Sequence, residues 1–388
     1  MPDMDFGGYQ TEIYLAGMAG TAPALPVSMA RLEEKAYEAM SPEARSYVAG
    51  GAGAEDTMRA NLEAFRRWRL VPRVLRDVAA RDLSTTLLGA VLPSPMLLAP
   101  VGVLGIVHPQ GELAVARAAS SLGVPVVLST AASRSIEEVA EAAGDGPRWF
   151  QLYWPADESL TASFLSRAEA AGYSAIVLTV DLDLLGWRPR DLGRAYLPFL
   201  HGEGIAHFTS DPVFAAGLDR PPDEDPTAAV MAWVPQNERS GRTWEDIPAL
   251  RAQTSLPILV KGILHPDDAR RAVDAGLSGV VVSNHGGRQV DGAIGALDAL
   301  PGVVDAVAGE VPVLFDSGIR TGADAIKALA LGANAVLLGR PYVWGLALAG
   351  EEGVRHAVRS LLADLDITLG LMGLRSPAEL DRSMLAPG

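Results

Sequence analysis

Short apolar runs recur along the chain from residue 95 onward, and most are separated by alanine-rich helical stretches such as residues 112–122 and 267–275. Several of these stretches end in a glycine, the residue that most readily adopts the left-handed conformation that terminates helices. We therefore predict parallel strands that alternate with helices. The predicted strands are residues 96–99, 124–128, 149–152, 175–180, 258–260, 279–282, 311–315 and 335–338.

Eight strand–helix units match the number and spacing of a (β/α)8 TIM barrel, which is an α/β fold. A doubly wound sheet is the alternative arrangement of the same units. We predict one domain over residues 1–388, with an N-terminal helical extension over about residues 1–90. Its glycine cluster at residues 50–53 follows no buried strand, so that cluster is only a weak indication of dinucleotide binding.

One connection interrupts the regular alternation. Residues 182–257 separate the predicted fourth and fifth strands, and about residues 182–242 form a long loop. A loop of this length in a compact domain is usually an active-site lid or a disordered segment. Because it leaves the barrel at the ends of the strands where barrel enzymes build their sites, we predict a lid.

The amino-acid composition restricts the kinds of molecule that the protein can bind and the places where it can reside. The chain has no cysteine, which excludes disulfides and thiolate chemistry, and we predict no metal site. Its net charge of −15 argues against nucleic acid and anionic membrane surfaces as partners. The first residues lack the pattern of a signal peptide, and no apolar stretch reaches the roughly 18 residues of a membrane span. We predict a cytoplasmic protein.

The carboxyl ends of barrel strands converge on one face, so residues that are far apart in sequence can be read together there. Polar and glycine residues follow each predicted strand at this end. In chain order the ends are Ala99-Pro100-Val101-Gly102, Ser129-Thr130, Gln151-Leu152-Tyr153, Thr179-Val180-Asp181, Lys261-Gly262, Ser283-Asn284-His285, Asp316-Ser317-Gly318-Ile319-Arg320 and Gly339-Arg340-Pro341.

The last two ends combine glycines and arginines with the start of a helix, which is the usual phosphate-binding arrangement of a barrel. Uncharged donors and acceptors suit the polar edge of a heteroaromatic ring, and Lys261 places a cation beside that ring. The uncharged residues are Ser129, Gln151, Thr179 and Ser283. Together these features predict flavin mononucleotide (FMN) as cofactor.

A second group of strand-end residues carries acid–base and anion-binding chemistry. His285 can accept a proton, with Asp181 as the carboxylate that orients it. Arg188 and Arg288 can hold an anionic substrate through paired hydrogen bonds, and Tyr153 adds a hydroxyl. Each residue by itself is more often a cap or a surface ion-pair partner. Their coincidence on consecutive strand ends favours a catalytic site.

The motif Ser283-Asn284-His285-Gly286-Gly287-Arg288-Gln289 resembles the signature of the FMN-dependent α-hydroxy-acid oxidase and dehydrogenase family. The resemblance covers nearly the whole chain. It includes Tyr47-Val48-Ala49-Gly50-Gly51, Pro72-Arg73, Gln151-Leu152-Tyr153, Leu259-Val260-Lys261-Gly262, Asp316-Ser317-Gly318-Ile319-Arg320 and Gly339-Arg340-Pro341. Within the family the sequence most resembles lactate 2-monooxygenase, on Glu12-Ile13-Tyr14, Gly186-Trp187-Arg188-Pro189-Arg190-Asp191 and Asp211-Pro212-Val213-Phe214.

The resemblance implies a role for each matching residue. His285 would be the base, assisted by Asp181, and Tyr153 would bond the substrate hydroxyl. Tyr47, Arg188 and Arg288 would hold the substrate carboxylate. The implied cofactor-binding residues are Pro100, Val101, Gly102, Ser129, Gln151, Thr179, Lys261, Ser283, Asp316, Ser317, Gly318, Arg320, Gly339 and Arg340. The resemblance also implies a homotetramer or homo-octamer.

Two positions depart from many members of the family. Gly102 stands where many of its oxidases carry alanine, which matches the monooxygenase-like branch. Ala131 stands where glycolate oxidase-like members carry an aromatic residue, so that wall of the substrate pocket is expected to be more open. The identity of the substrate is therefore left open by the sequence.

The resulting hypothesis is FMN-dependent oxidation of a small L-2-hydroxy acid such as lactate, with dioxygen as the second substrate. In the monooxygenase form the product is decarboxylated to acetate, whereas in the oxidase form the 2-keto acid and hydrogen peroxide are released. A dehydrogenase for larger acids such as mandelate is a further alternative. A flavin-binding scaffold without catalysis and a phosphate-binding barrel isomerase are the alternatives from other classes.

Overall fold

The computed structural model describes residues 5–237 and 241–388. The strands are β1 (Trp68–Leu70), β2 (Thr85–Leu87), β3 (Ala90–Leu92), β4 (Met96–Leu98), β5 (Val126–Ser129), β6 (Arg148–Leu152), β7 (Ile176–Thr179), β8 (Ile258–Ile263), β9 (Gly279–Val282), β10 (Val313–Phe315), β11 (Ala335–Leu338) and β12 (Leu385–Pro387). All eight predicted runs contain a strand.

The α-helices of these ranges are α1 (Gly8–Met18), α2 (Met29–Ala39), α3 (Pro42–Ala49), α4 (Asp56–Arg66), α5 (Gly111–Ser121), α6 (Ile136–Ala143), α7 (Glu158–Ala170), α8 (Pro189–Leu192), α9 (Ala206–Thr209), α10 (Pro212–Ala216), α11 (Pro226–Trp233), α12 (Ile247–Arg251), α13 (Pro266–Asp274), α14 (Ala296–Val307), α15 (Gly322–Ala330) and α16 (Arg340–Leu371). Short 3-10 turns occupy Leu104–Ile106, Pro198–His201, Val234–Asn237, Trp244–Asp246, His285–Gly287, Pro377–Glu379 and Arg382–Met384.

Strands β4 to β11 form a closed barrel in which every neighbouring pair is parallel and β11 returns to pair with β4. The TIM-barrel prediction is confirmed, and the doubly wound alternative is wrong because such a sheet would stay open. Two strands begin two residues later than predicted, at Val126 and Val313, because Pro125 and Pro312 have no N–H for the ladder. Their carbonyls still accept hydrogen bonds, from Leu98 N at 2.8 Å and Val280 N at 3.0 Å.

The hydrophobic core has two layers. One fills the barrel interior with single residues from successive strands, among them Leu97, Val127, Trp149, Leu259 and Leu314. The antiparallel hairpin β2–β3 packs on this layer through Leu87 and Leu92, which are 2 % and 5 % exposed. The larger layer lies between the strands and the surrounding helices. The closed sheet is therefore packed on both faces, as the uninterrupted apolar strands require.

Glycines end four of the helices as predicted. Gly123, Gly172, Gly276 and Gly332 have φ values of 64°, 72°, 73° and 111°, in the region that side chains avoid. Helix α1 lies in the predicted N-terminal helical extension, and none of its residues is buried. It is held at its start by Gly7 N, which donates to Asp366 Oδ2 at 2.9 Å.

The long loop after β7 is folded over residues 182–237, where it contains helices α8 to α11. Arg167 on α7 anchors it by donating to Asp211 Oδ2 at 2.8 Å and to the His207 carbonyl at 2.9 Å. Asp211 is fully buried and its other oxygen caps α10 through Val213 N at 2.8 Å. Residues 238–240 of the predicted lid, and residues 1–4 of the predicted extension, lie outside the described residues.

Within the described ranges, no helix combines the length and the apolar character needed to cross a membrane.

Candidate active site

The loop after β9 has an unusual backbone that aims its side chains at the barrel mouth. His285, Gly286 and Gly287 have consecutive positive φ values of 57°, 64° and 77°. A Cβ on Gly287 would lie 2.7 Å from the backbone nitrogen of Met58, so only glycine fits against α4. The strained conformation of His285 is stabilised by its own N–H, which donates to Ser283 Oγ at 3.0 Å.

Two asparagines lock this loop onto the N-terminal extension. Asn61 Nδ2 donates to Asn284 Oδ1 at 2.8 Å, and Asn284 Nδ2 donates to Asn61 Oδ1 at 2.7 Å. Both residues are almost completely buried. Sequence reasoning missed Asn61, because a single asparagine in an amphipathic helix gives no signal of its partner. The pair makes the extension part of the support of the site.

His285 and Asp181 are in contact, as predicted. The distance from His285 Nδ1 to Asp181 Oδ1 is 2.8 Å, and Asp181 Oδ2 is buried without a partner among the described residues. Gly262 permits this approach, since a Cβ there would lie 2.7 Å from the Asp181 side chain. This arrangement fixes the ring with Nδ1–H toward the carboxylate, so Nε2 is the atom that can accept a proton.

Electrostatics set the protonation of this pair. Burial lowers the pKa of His285 and outweighs the opposing attraction of Asp181. Burial would raise the pKa of Asp181, but His285 and Lys261 outweigh it and lower that pKa. At neutral pH the pair is therefore a neutral imidazole beside an ionised carboxylate, which is the state that a general base requires.

Two guanidinium groups lie beside the imidazole. Arg288 Nη1 donates to the carbonyls of Tyr47 at 2.6 Å and Gly50 at 2.7 Å, which leaves Nη2 buried without a partner among the described residues. The Arg288 guanidinium lies 4.8 Å from the centre of the Tyr47 ring. Arg188 is only 5 % exposed, and burial followed by repulsion from Arg288 lowers its pKa to about 10. Arg188 therefore stays charged at neutral pH, and the two guanidinium groups can receive an anion.

Gln289 connects the two loops that carry these groups. Its Oε1 accepts from Arg188 Nη2 at 2.8 Å, and its Nε2 donates to the carbonyls of Asp181 at 2.7 Å and Leu184 at 2.9 Å. The motif contains Gln289, but sequence reasoning gave it no role, because its partners come from a loop about 100 residues earlier. It positions Arg188 relative to the His285–Asp181 pair.

The uncharged polar side chains lie at the carboxyl ends of strands β5, β6 and β7. Gln151 Oε1 accepts from Ser129 Oγ at 3.0 Å and from Thr130 N at 3.2 Å. Gln151 Nε2 and Thr179 Oγ1 are buried and have no partner within the described part of the chain. An unpaired buried donor costs free energy, so a polar ligand edge at this position would relieve it.

Lys261 is buried between an acid and a hydroxyl. Its Nζ donates to Ser283 Oγ at 2.9 Å and lies 3.2 Å from Asp316 Oδ2. Burial would lower the pKa of Lys261, but Asp316 and Asp181 outweigh it and raise that pKa. The side chain is therefore a permanent cation in the barrel mouth. Ser317 Oγ donates to Asp316 Oδ1 at 2.8 Å and fixes that carboxylate.

Arginines from the last two strand ends form a basic end of the same cavity. Arg340 donates to the carbonyls of Val48 at 2.8 Å and Gly50 at 3.0 Å, and burial lowers its pKa to about 10. The Arg320 guanidinium lies 4.9 Å from the Trp344 ring. A Cβ on Gly339 would meet no atom within 4 Å, so the backbone there faces open space. This end has the charge and the room for a phosphate.

One cavity joins most of the predicted site residues. Its lining includes Tyr47, Pro100, Val101, Gly102, Ser129, Tyr153, Arg188, Lys261, His285, Arg288, Asp316, Ser317, Gly318, Arg320, Gly339 and Arg340. Gln151, Thr179, Asp181 and Ser283 do not line it. Asp181 lies behind His285, while the other three are buried side chains of the strand ends. The unpaired Gln151 Nε2 and Thr179 Oγ1, the buried cation and the basic end fit the ring edge and phosphate of FMN.

Fold and site together define a class: barrel enzymes that hold a phosphate-bearing cofactor beside a His–carboxylate base and an anion-binding pocket. The chain belongs to the FMN-dependent dehydrogenase family, whose model matches residues 36–387, and FMN is its cofactor. The family resemblance found in the sequence and the FMN prediction are confirmed.

Individual relatives agree with this assignment. The chain is 49 % identical to the FMN-dependent alpha-hydroxy acid dehydrogenase qulF of Penicillium citrinum, over 99 % of this chain and 97 % of that protein. It is 44 % identical to the L-lactate oxidase of Lysinibacillus sphaericus, over 94 % of each protein. A crystal structure of mandelate oxidase matches with a TM-score of 0.83 and 42 % identity, over 94 % of this chain and 98 % of that chain. The protein is therefore an FMN-dependent 2-hydroxy-acid oxidoreductase.

Proposed function

We propose that the protein oxidises an L-2-hydroxy acid at the carbon beside the carboxylate and delivers the electrons to dioxygen. The hydroxy acid loses two electrons and two protons and becomes a 2-keto acid, while dioxygen gains them and becomes hydrogen peroxide. The observation that carries this proposal is the 2.8 Å contact between His285 and Asp181, with His285 lining the same cavity as the guanidinium groups of Arg188 and Arg288. The oxidases among the relatives support dioxygen as the acceptor.

In this proposal the two arginines bind the substrate carboxylate. Arg288 Nη2 has no other partner among the described residues, and Arg188 is held beside it by Gln289. Buried guanidinium groups interact strongly with a carboxylate because little water competes for them. Tyr47, whose ring packs on the Arg288 guanidinium, completes this end, and Tyr153 faces the cavity to bond the hydroxyl.

His285 Nε2 takes the proton. Asp181 holds the ring in the tautomer that leaves Nε2 free and stabilises the imidazolium that forms, so the pair is poised to accept one proton per turnover. The neutral state of His285 at physiological pH follows from its lowered pKa. The base and Arg288 come from the same loop, and Gln289 ties Arg188 of the loop after β7 to it, which fixes the reacting carbon relative to Nε2.

When bound, FMN supplies the two-electron acceptor. We assign its ring edge to Ser129, Gln151, Thr179 and Lys261, and its phosphate to the end that contains Gly318, Arg320, Gly339 and Arg340. Pro100, Val101 and Gly102 would line one face of the ring, and Asp316, Ser317 and Ser283 would hold the part of the cofactor between the ring and the phosphate. The fixed charge of Lys261 favours negative charge developing nearby.

A second candidate is the coupled form of the reaction, in which lactate and dioxygen yield acetate, carbon dioxide and water. The observation that favours it is the enclosure of Arg188, which comes from the loop after β7 and is 5 % exposed. A loop that covers the substrate anion in this way would retain the keto acid next to the site where peroxide forms.

Oxygen uptake with L-2-hydroxy acids, measured with and without catalase, tests the proposal. An oxidase predicts that catalase halves the net uptake, because it returns half of the oxygen from peroxide, and that the keto acid accumulates. Uptake that catalase does not change, with acetate formed from lactate, would replace the oxidase by the coupled enzyme. No uptake while the acid still decolorises the flavin without air would refute dioxygen as acceptor.

A further inference from the structure

A second cavity lies directly beside the first. The two cavities share five lining residues: Ala131, Tyr153, Leu182, Leu185 and Phe199. Ala131 follows β5, and Leu182 and Leu185 begin the loop after β7. Because the common wall also contains Tyr153, the second cavity opens from the part of the first where the substrate is proposed to bind. We call it the side chamber.

Apolar and aromatic residues dominate the side chamber. Phe199 and Trp233 stack with their ring centres 5.1 Å apart, and Phe208 forms another part of the wall. Phe208 is itself fixed by Phe164, whose ring centre is 4.9 Å away. Further lining comes from Leu197 and Leu200. The polar residues of the described lining are Thr130, Tyr153, Asp183 and Asn237, and no arginine or lysine is among them, so the chamber favours an apolar group over a carboxylate.

The size of the side chamber exceeds what a methyl group would fill. Its volume is about 350 Å³. An engineered apolar cavity of roughly 150 Å³ accepts a benzene molecule, so a ring fits here with room for a short spacer. Filling apolar space removes more apolar surface from water and so favours binding, and a substrate with only a methyl side chain would gain none of this.

Small residues keep the two cavities connected. Ala131 contributes only a methyl group to both walls. A Cβ on Gly204 would lie 2.8 Å from the Phe199 ring and 2.9 Å from the Ala131 carbonyl, so glycine lets the ring lie close to the loop after β5. A large side chain at either position would displace Phe199 or narrow the connection.

We propose that the side chamber binds the apolar side chain of the substrate, which makes ring-bearing 2-hydroxy acids better substrates than lactate. The inference rests on the proposed function, since it assumes that the carboxylate lies at Arg188 and Arg288. With the carboxylate fixed there and the reacting carbon at His285, the substituent on that carbon is the part of the substrate free to enter the chamber. Aromatic walls provide favourable offset and edge-to-face contacts for a ring.

The first experiment compares four L-2-hydroxy acids as reductants of the FMN-loaded protein without air: lactate, 2-hydroxyisocaproate, mandelate and 3-phenyllactate. We expect kcat/KM for a ring-bearing acid to exceed that for lactate at least tenfold. If lactate is the best reductant, the inference is wrong and the proposed function stands. If none of the acids decolorises the flavin, the proposed function and the inference fall together.

A binding measurement gives a readout without turnover. Phenylpyruvate and pyruvate differ by the ring alone, and each can be titrated through the change it causes in the flavin absorption spectrum. We expect the Kd of phenylpyruvate to be at least tenfold lower than that of pyruvate. Equal Kd values would show that the ring finds no apolar site and would overturn the inference.

The variant Leu200→Trp tests the location. Leu200 lines the side chamber but not the first cavity, and its 54 % exposure lets a larger side chain be accommodated. We expect the ratio of kcat/KM for 3-phenyllactate to that for lactate to fall at least tenfold. Leu192→Trp is the matched control, since Leu192 belongs to the same loop, is 50 % exposed and lines neither cavity.

An unchanged ratio of kcat/KM in Leu200→Trp, or an equal fall in the control, would show that the side chamber does not determine which substrates the enzyme prefers. Should Leu200→Trp fail to retain FMN, Leu184→Trp serves in its place, because Leu184 also lines the chamber and is 76 % exposed. The same fall in the ratio is expected there, and its absence would count against the proposal in the same way.

Discussion

Two histidines occupy contrasting regions of the barrel mouth. His285 lies on the loop after β9, with Asp181 at 2.8 Å and its ring facing the cavity. His207 lies on α9, in the loop after β7, where its Nε2 is 2.9 Å from the Ser129 carbonyl. The Phe150 and Phe164 rings contact His207 edge-on, and its side chain is fully buried.

The two histidines differ in their hydrogen-bond partners and in their access to the cavity, not in the chemistry of the imidazole itself. Burial lowers the pKa of both histidines, to about 4 for His207. Asp181 contacts His285 and can stabilise a proton there, whereas the only ring partner of His207 among the described residues is a carbonyl, and the charges of Arg167, Glu137 and Asp211 do not offset its burial. His285 can therefore cycle between two protonation states, while His207 ties the loop after β7 to the end of β5 and stays neutral.

The largest expected effect is from His285→Ala. Loss of a positioned general base lowers the rate by about 10²- to 10⁴-fold, so flavin reduction by substrate without air should slow by that factor while bound FMN is retained. Stopped-flow absorbance measures the rate. His265→Ala is the control, because that imidazole is exposed at the start of α13 and should leave the rate unchanged. Reduction at the parent rate in His285→Ala would disprove the assignment of the base.

A smaller effect is expected from Asp181→Asn. A hydrogen bond to a charged group is worth about 1.5–3 kcal/mol, which corresponds to a fall in kcat/KM of roughly 10- to 150-fold. The parent kcat/KM should fall as the pH drops through the lowered pKa of His285, below its ordinary value of 6.5. Without the carboxylate, which raises that pKa, the acid limb should move to still lower pH. An acid limb that moves upward would contradict the proposed pairing.

The smallest effect on catalysis is expected from His207→Gln, which should instead change the pH dependence of stability. Since the pKa of His207 is lowered in the folded state, the unfolded state binds the proton more readily, and stability is lost as pH falls from about 6.5 to about 4. That pKa difference corresponds to about 3 kcal/mol of unfolding free energy. Gln keeps a donor for the Ser129 carbonyl without a titrating ring. Urea unfolding at pH 7 and pH 4 should therefore show a smaller loss of unfolding free energy at the lower pH in the variant. Equal losses in the parent and the variant would show that His207 is not the titrating group.

The pattern of apolar and polar residues along the chain was sufficient to predict the barrel and much of the site. The alternation of apolar strands and helices predicts eight strands, and barrel geometry requires their carboxyl ends to meet, so the sequence alone is enough to group His285, Asp181 and Lys261. Among the strand starts, the largest shifts are of two residues and fall after Pro125 and Pro312, where a missing N–H delays the ladder. The assigned roles of these residues and the resemblance to lactate 2-monooxygenase stay predictions.

Tertiary structure decided what depends on partners that are distant in sequence. Asn61 pairs with Asn284 across 223 residues, and Gln289 reaches Arg188 across 101, and neither contact leaves a periodic signal in the chain. The side chamber likewise arises where Ala131 meets the loop after β7. Strand periodicity is a local property that is visible within each segment. The shape of a cavity, in contrast, depends on how loops that are distant in sequence pack against one another.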